Sequence, residues 1–257
     1  MTPSLPFAGI DGCRGGWIVA RWDGGATLLL ERIAAVAPLF ERADAPDIAA
    51  IDMPIGLPIG LPEQVGAGGR TPERLVRPLL GMRQSSVFSV PARAAVMAGV
   101  GPGEETARYR AACAAALAAS DPPRAVAKQC FHLFPKIAEL DLLLRHRPEL
   151  RARLVECHPE VAFWAMNAQA ALDLPKKVKN RPHAPGLDLR RRLLGASGVP
   201  TGLLTEQNAR ALGAGLDDLI DAAACAVTAK RVAEGKALRF PDPPEADALG
   251  LPIAIVA

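Results

Sequence analysis

Three apolar runs of this chain end on a carboxylate: "FAGIDGC" carries Asp11, "DIAAIDMP" carries Asp52 and "ARLVECHP" carries Glu156. Three further acids, Asp217, Asp218 and Asp221, head the segment "GLDDLIDAAACAVTAKRVAEG". A buried carboxylate costs several kcal/mol unless it is paired, protonated or bound to a cation. Acids gathered from separate segments therefore call for a compensating cation, and Mg or Mn, which takes hard oxygen ligands, is the natural one. Two such ions about 3.5–4 Å apart stabilise the attacking and leaving oxygens of a phosphoryl displacement. Each acid also has a plain structural reading. Asp-Gly followed by Gly-Gly is ordinary hairpin chemistry for Asp11, and acids in the first turn of a helix complement its dipole. On a helix, Asp218 and Asp221 share a face at a spacing of three, and Asp217 meets Asp221 at a spacing of four. Asp221 belongs to either pairing.

Residues suited to holding an anion lie elsewhere. Arg14 sits in the glycine-rich turn after Asp11, and Arg83, Ser85 and Ser86 form part of "RQSSVF"; together they offer charged and neutral donors to phosphate. Lys136 and Glu139 in "KQCFHLFPKIAELD" can pair along a helix, leaving a surface ion pair as the plain alternative. His158, two residues beyond Glu156, shares its strand face if the strand extends that far, and can then ligate metal, transfer a proton or simply hydrogen-bond. The most basic stretch contains Lys176, Lys177, Lys179, Arg181, Arg190, Arg191 and Arg192, and can track a phosphate backbone or be a solvated charge run. With one Tyr and three Trp in the chain, a stacking platform for single strands has little support.

The elements that must position these groups follow from periodicity and breakers. Residues 7–12, 16–22 and 26–31 alternate or run apolar between Gly-rich turns, the pattern of an antiparallel meander. "ERIAAVAPLFERAD" predicts a helix and "DIAAIDMPIG" a short buried strand. From Pro54 to about Gly103 the chain is rich in Gly and Pro and reads as a functional loop or insertion. Helices are predicted over 104–119 and 124–146, broken by "SDPP". "ARLVECHPEVAF" reads as a strand ending at Glu156 or His158, with Pro159 opening a helix. A basic loop leads into a further helix, "TEQNARALG" gives a short one with a weak capping signal, and the Ala-rich helix from Asp217 closes at Gly235.

At 257 residues, half of them hydrophobic, the chain can build a sizeable core without staples. Its net charge of +3, from 30 basic against 27 acidic residues, excludes a strongly basic nucleic-acid coat and makes any such contact local. Cys13, Cys113, Cys130, Cys157 and Cys225 are scattered and form no C-x-x-C, so reduced thiols in a cytoplasmic protein are expected. No signal peptide and no membrane-spanning run is legible, and no membrane partner is expected. The oligomeric state is not legible either.

The order of three hairpin strands, helix, acidic fourth strand and a late helix reading D-x-x-D-A resembles the RNase H-like superfamily, particularly its Holliday-junction resolvase branch. "GIDGCRGGW", "IDMPIGLP", "RQSSVF", "KQCFHLFPKIAELD", "ECHPEVAF" and "DDLIDAAACAVTA" together resemble an uncharacterised-domain family described as predicted nucleases of the RNase H fold, over nearly the whole chain. The resemblance implies an α/β fold: one RNase H-like domain over residues 1–257, a mixed sheet of antiparallel meander plus parallel strands flanked by helices, with a loop and helical insertion at about 54–150. It carries Asp11, Asp52, Glu156, Asp218 and Asp221 as metal-binding and catalytic candidates. The long insertion after Asp52 departs from the better-known nucleases, and Asp52 and Glu156 compete for the second-carboxylate role.

The expected function is a Mg- or Mn-dependent nuclease or phosphodiesterase with a nucleic acid or nucleotide-type phosphodiester as partner. Arg14, Arg83, Ser85, Ser86, Lys136, His158, Lys177 and Arg190 are its substrate-binding candidates. Two alternatives share the topology. An actin-like ATP-dependent phosphotransferase needs phosphate loops in both halves, for which "IDMPIG" is a poor fit, and a non-catalytic nucleotide- or protein-binding module would use the fold as scaffold only.

Overall fold

In the computed structural model, which describes residues 5–58 and 69–257, the meander forms first. Strands β1 (Phe7–Cys13), β2 (Gly16–Trp22) and β3 (Leu28–Ile33) pair antiparallel, with Asp11 opposite Ile18 and Trp17 opposite Ile33. β4 (Ile48–Ile51) and β5 (Leu154–Glu156) then add parallel to β1, giving a five-stranded mixed sheet of order β3-β2-β1-β4-β5 in an α/β architecture.

Strand alternation divides the sheet into two apolar faces. Ala8, Ile10, Ala49, Ile51 and Leu154 lie in one core, with residues of α2 (Arg93–Val100), α3 (Glu105–Ala118) and α5 (Phe134–His146). Ile18, Ala20, Trp22 and Ala50 lie in the other, under α6 (Pro159–Met166), α7 (Ala184–Ala196) and α9 (Leu216–Ala233). Gly9 shows how closely α9 is seated: a Cβ there would come within 1.8 Å of the Ala222 carbonyl oxygen and 2.2 Å of the Ala226 nitrogen. Glycine on the strand and alanine on the helix let two backbones meet, and that contact sets where the acids at the head of α9 fall.

Several expectations are corrected. The helix predicted over 31–44 is replaced by the end of β3 and a 3₁₀ turn, Ala37–Phe40, because Glu31 and Ile33 continue the pairing with Val19 and Trp17. The helix predicted over 124–146 is split into α4 (Lys128–Phe131) and α5, whose first turn holds Pro135, a residue the interior of a longer helix would not accept. The expected Gly/Pro loop contains α1 (Thr71–Val76), a 3₁₀ run at Arg77–Ser86 and α2; its residues 59–68 lie outside the described set. The basic loop closes as a small hairpin, β6 (Lys177–Val178) with β7 (Arg181–Pro182).

Two readings hold, Pro159 opening α6 and Gly235 ending α9 with φ +68°; the weak capping signal is made good by Thr205, which caps α8 (Glu206–Ala211) by accepting from the Asn208 N–H at 3.2 Å. A C-terminal hairpin, β8 (Arg239–Ala246) with β9 (Pro252–Val256), adds a further pair of strands and touches the end of β5 through a Cys157–Val256 bridge. Among the described residues, no helix is long and apolar enough to cross a membrane.

Candidate metal centre

Register brings two of the acids together. Ile10 pairs with Ile51 across the parallel β1–β4 seam, and the Asp52 N–H donates to the Ile10 carbonyl at 2.9 Å. Asp11 and Asp52 thus follow each other across the seam, two residues beyond Gly9 and Ala50, on the face that α9 covers. Asp221 and Asp218 lie on α9 just before the Ala222–Ala226 stretch that contacts Gly9. Asp11, Asp52, Asp218 and Asp221 line one cavity of about 300 Å³.

Glu156 is brought to the same cavity wall but turned to other partners. It pairs with Ile51, so alternation sets it with Ile51 and Leu154 on the face opposite Asp52. There Arg70 Nη2 donates to its Oε1 at 2.6 Å and Arg70 Nη1 to its Oε2 at 3.1 Å, while the Ile55 N–H donates to Oε2 at 2.7 Å. Both Glu156 oxygens are engaged.

The Asp11 cluster is compensated less completely. The Gly12 N–H donates to Asp11 Oδ1 at 2.8 Å, and the Lys176 ammonium donates to Asp221 Oδ2. Asp221 is 2 % exposed, and its Oδ1 has no partner among the described residues. Burial, reinforced by the charges of Asp52 and Asp221, pushes the Asp11 carboxyl well above the usual range. Burial also raises Asp52, against the pull of His158 and Lys176, and raises Asp221 to about 7 in spite of Lys176. Lys176 itself is raised: burial works against its charge, and Asp221 and Asp11 outweigh burial. Burial is the first cause at all three carboxyls, and repulsion from neighbouring acids adds to it most at Asp11.

Asp218 is half committed, its Oδ2 accepting from the Gly215 N–H at 2.9 Å as the cap of α9, and burial raises it against that bond. Asp217 is paired with Lys177 at 2.6 Å.

Lys176 is the group that sequence reading left among the solvated lysines. Its loop is pinned from below: a Cβ on Gly186 would come within 1.8 Å of the Pro175 carbonyl oxygen, so only glycine lets α7 approach the backbone just before Lys176. Arg190 completes the support and corrects its own assignment. It was expected on an exposed basic track, yet it is 0 % exposed, forks onto both Glu160 oxygens at 2.6 and 2.8 Å, and donates to the Leu174 carbonyl at 3.0 Å. It does not line the acid-bearing cavity and acts as scaffold for the Lys176 loop.

The remaining candidates separate cleanly. His158 and Lys177 line the cavity, and His158 Nδ1 is buried without a partner among the described residues. Ser86 lines it too, its hydroxyl donating to the Arg83 carbonyl at 2.8 Å. Arg14 is exposed in the β1–β2 turn, and neither it nor Arg83 lines the cavity; Ser85 faces a second one. Lys136 also stays outside, donating to the Gly16 carbonyl with its ammonium 4.2 Å from the Trp17 ring centroid. The expected Lys136–Glu139 pair gives way to bonds from Trp17 Nε1 and the Val36 N–H to Glu139, at 3.1 and 2.7 Å. Residues missed from sequence are Arg70, Glu73 and Glu160; the first two sit in the Gly/Pro-rich stretch and Glu160 beside an apolar run, and neither setting names a partner.

Among the described residues no group of three or more His, Cys, Asp or Glu stands in a ready ligating arrangement, and the Lys176 ammonium occupies the ground between the acids. Carboxylate oxygens are the donor type a hard cation takes, and one of them, the buried Asp221 Oδ1, has no partner among the described residues.

Fold and site together define an α/β protein with a carboxylate cluster at the ends of adjacent parallel-paired strands. The family model described as "Protein of unknown function (DUF429)" matches residues 9–246, and the chain belongs to that family. No curated protein and no solved structure matches it.

Proposed function

We propose that this protein is a metal-dependent phosphodiester hydrolase of the RNase H-like type, acting on nucleic acid or a nucleotide-type phosphodiester. The observation that carries the reading is that Asp11, Asp52 and Asp221 line one cavity and that a buried Asp221 oxygen has no partner among the described residues. The sheet order β3-β2-β1-β4-β5 supports the RNase H-like assignment. Asp11, Asp52 and Asp221 would hold Mg or Mn, with Asp218 beside them, and the engagement of Glu156 by Arg70 favours Asp52 as the second carboxylate. When bound, the cation would neutralise phosphoryl charge and make water a better nucleophile.

The chain's own residues supply the rest. Lys176 and Lys177 bring positive charge to the cavity wall and draw a phosphate toward it. His158, beside Asp52 with a free ring nitrogen, is placed to move a proton. Arg190 and Gly186 orient the Lys176 loop.

The test is hydrolysis of bis-p-nitrophenyl phosphate and of single-stranded, duplex and branched DNA and RNA, with and without Mn, by wild type and Asp11→Asn. Asn keeps the turn-forming capacity of Asp and removes its charge. The expected result is Mn-dependent cleavage that falls at least about 100-fold in the variant, more than outer-shell changes at metal sites cost, with the fold intact. Equal cleavage by both proteins overturns the reading, as does ATP hydrolysis with no phosphodiester cleavage.

A further inference from the structure

A third cavity, of about 380 Å³, lies toward the end of α9 away from the acids. Arg231, on its wall, follows Asp221 by ten residues, about 15 Å along the helix at 1.5 Å per residue. Trp22 of β2, Ala165 of α6, Ser197 just after α7 and Leu238 complete the wall, with the exposed Gln169 beside them.

The charges on this wall do not balance. Among the described residues Lys230, Arg231 and Lys236 meet one acid there, Glu234. Both ammoniums are engaged by it, Lys230 at Oε1 and Lys236 at Oε2, the latter at 3.0 Å. Arg231 has no carboxylate. Its hydrogen bond within the described residues runs from Nη2 to the Ala165 carbonyl at 3.5 Å, longer than an ordinary N–H···O bond. It is nevertheless half-buried: burial lowers its guanidinium, and the group that opposes burial is the Cys157 thiol rather than a carboxyl. Arg21, Arg70, Arg93 and Arg190 each meet a carboxylate, and Arg231 meets none. A cation in the last turn complements the helix dipole, which accounts for basic residues at 230 and 231 but not for a guanidinium set into a cavity wall without a counter-ion.

Three cations against one acid leave the wall with an excess of two positive charges. A phosphate monoester carries about −1.5 to −2 near pH 7 and offers three strong acceptor oxygens, whereas a carboxylate or a phosphodiester carries a single charge. The planar guanidinium suits phosphate oxygens, and the volume leaves room for an organic body against Trp22, Val227 and Leu238. We infer that this cavity binds a phosphate monoester, its dianionic group held by Arg231 and flanked by Lys230 and Lys236. The site stands on its own charges and does not depend on the hydrolase reading, under which a monoester is the product.

Calorimetric titration in EDTA with thymidine monophosphate, inorganic phosphate and dimethyl phosphate reads binding without any turnover. Wild type should bind thymidine monophosphate more tightly than inorganic phosphate, and about tenfold or more tightly than dimethyl phosphate, which carries one charge. Arg231→Gln removes the guanidinium; Gln169→Glu keeps shape at an exposed position and supplies the missing acid from the chain itself, so it decides the matter even if Arg231→Gln folds poorly. Each should weaken thymidine monophosphate about tenfold or more, the scale of one lost charge-assisted contact. Lys177→Gln, in the acid-bearing cavity, should leave that binding unchanged. Wild type failing to bind thymidine monophosphate overturns the site, and inorganic phosphate binding the tighter overturns the monoester in favour of the free ion. Binding unchanged in both Arg231→Gln and Gln169→Glu, or lost in Lys177→Gln alone, overturns it as well, the anion then pairing elsewhere.

Discussion

Buried charge occurs in two kinds of place in this molecule, and they are built differently. Around Arg70, every oxygen of Glu156 and Glu73 has a donor: the guanidinium reaches both acids and the Ile55 and Gly56 carbonyls, and the Arg70 and Ile55 N–H groups complete the set. Arg93 does the same between Asp141 and Asp247, the latter's other bonds coming from the Leu57, Leu249 and Leu251 N–H groups, and Arg190 Nη2 serves both Glu160 oxygens, although its own Nε is buried without a partner among the described residues. At the Asp11 cluster the Lys176 ammonium bonds Asp221, and among the described residues the buried Asp221 Oδ1 is left unmet. Satisfied networks hold segments of chain in place, whereas a cluster left short of cations keeps capacity for a ligand.

The sharpest way to break this contrast is to damage each side and ask what is lost. Arg70→Met should leave Glu73 and Glu156 buried without their cation and cost about 3–5 kcal/mol, the usual scale for a broken buried pair. In thermal melts that is a fall of roughly 6–20 °C for a chain this size. A melt within about 2 °C of wild type would mean that the network does not hold the fold.

Arg190→Lys is a smaller lesion. It keeps charge but loses the fork onto Glu160 and the bond to Leu174, about 1–3 kcal/mol. Because that bond supports the Lys176 loop, phosphodiester KM should rise more than kcat falls. An unchanged KM would separate Arg190 from the site.

Smallest is the pH effect. The Asp221 carboxyl lies at about 7 in the fold, chiefly from burial, against about 3.9 for an unperturbed Asp. A raised folded value contributes stability that is complete below the unfolded value and is lost as pH rises through the folded one. Between about pH 4 and pH 7, wild type should therefore lose stability relative to Asp221→Asn by at least ~1 kcal/mol, about 2–4 °C. Parallel melting curves across that range would show Asp221 to be fully compensated.

Much of this contrast was legible in the amino-acid order, and the illegible part has one cause. Asp11 and Asp52 stood out because each ends an apolar run, and Asp218 and Asp221 because helical spacing sets them on one face. The side on which Glu156 projects depends on its register with Ile51, set by residues a hundred positions away, and no local pattern carries that. Arg190 and Lys176 look alike in a basic stretch; Gly186 and Glu160 bury one and aim the other. The extension of β3 to Ile33 likewise came from pairing with Trp17 overriding a helical periodicity.

The central claim, that the Asp11–Asp52–Asp221 cluster is the place where a divalent cation binds, is tested most directly by melting wild type, Asp11→Asn and Arg93→Met, whose network lies outside the acid-bearing cavity, across a Mn titration. Binding to the folded state alone raises stability by about 2.7 kcal/mol at a hundred times Kd. The melting temperature should climb with Mn in wild type and in Arg93→Met, from a lower start in the latter, and stay flat in Asp11→Asn. A flat wild-type titration, or the same climb in Asp11→Asn, would contradict it.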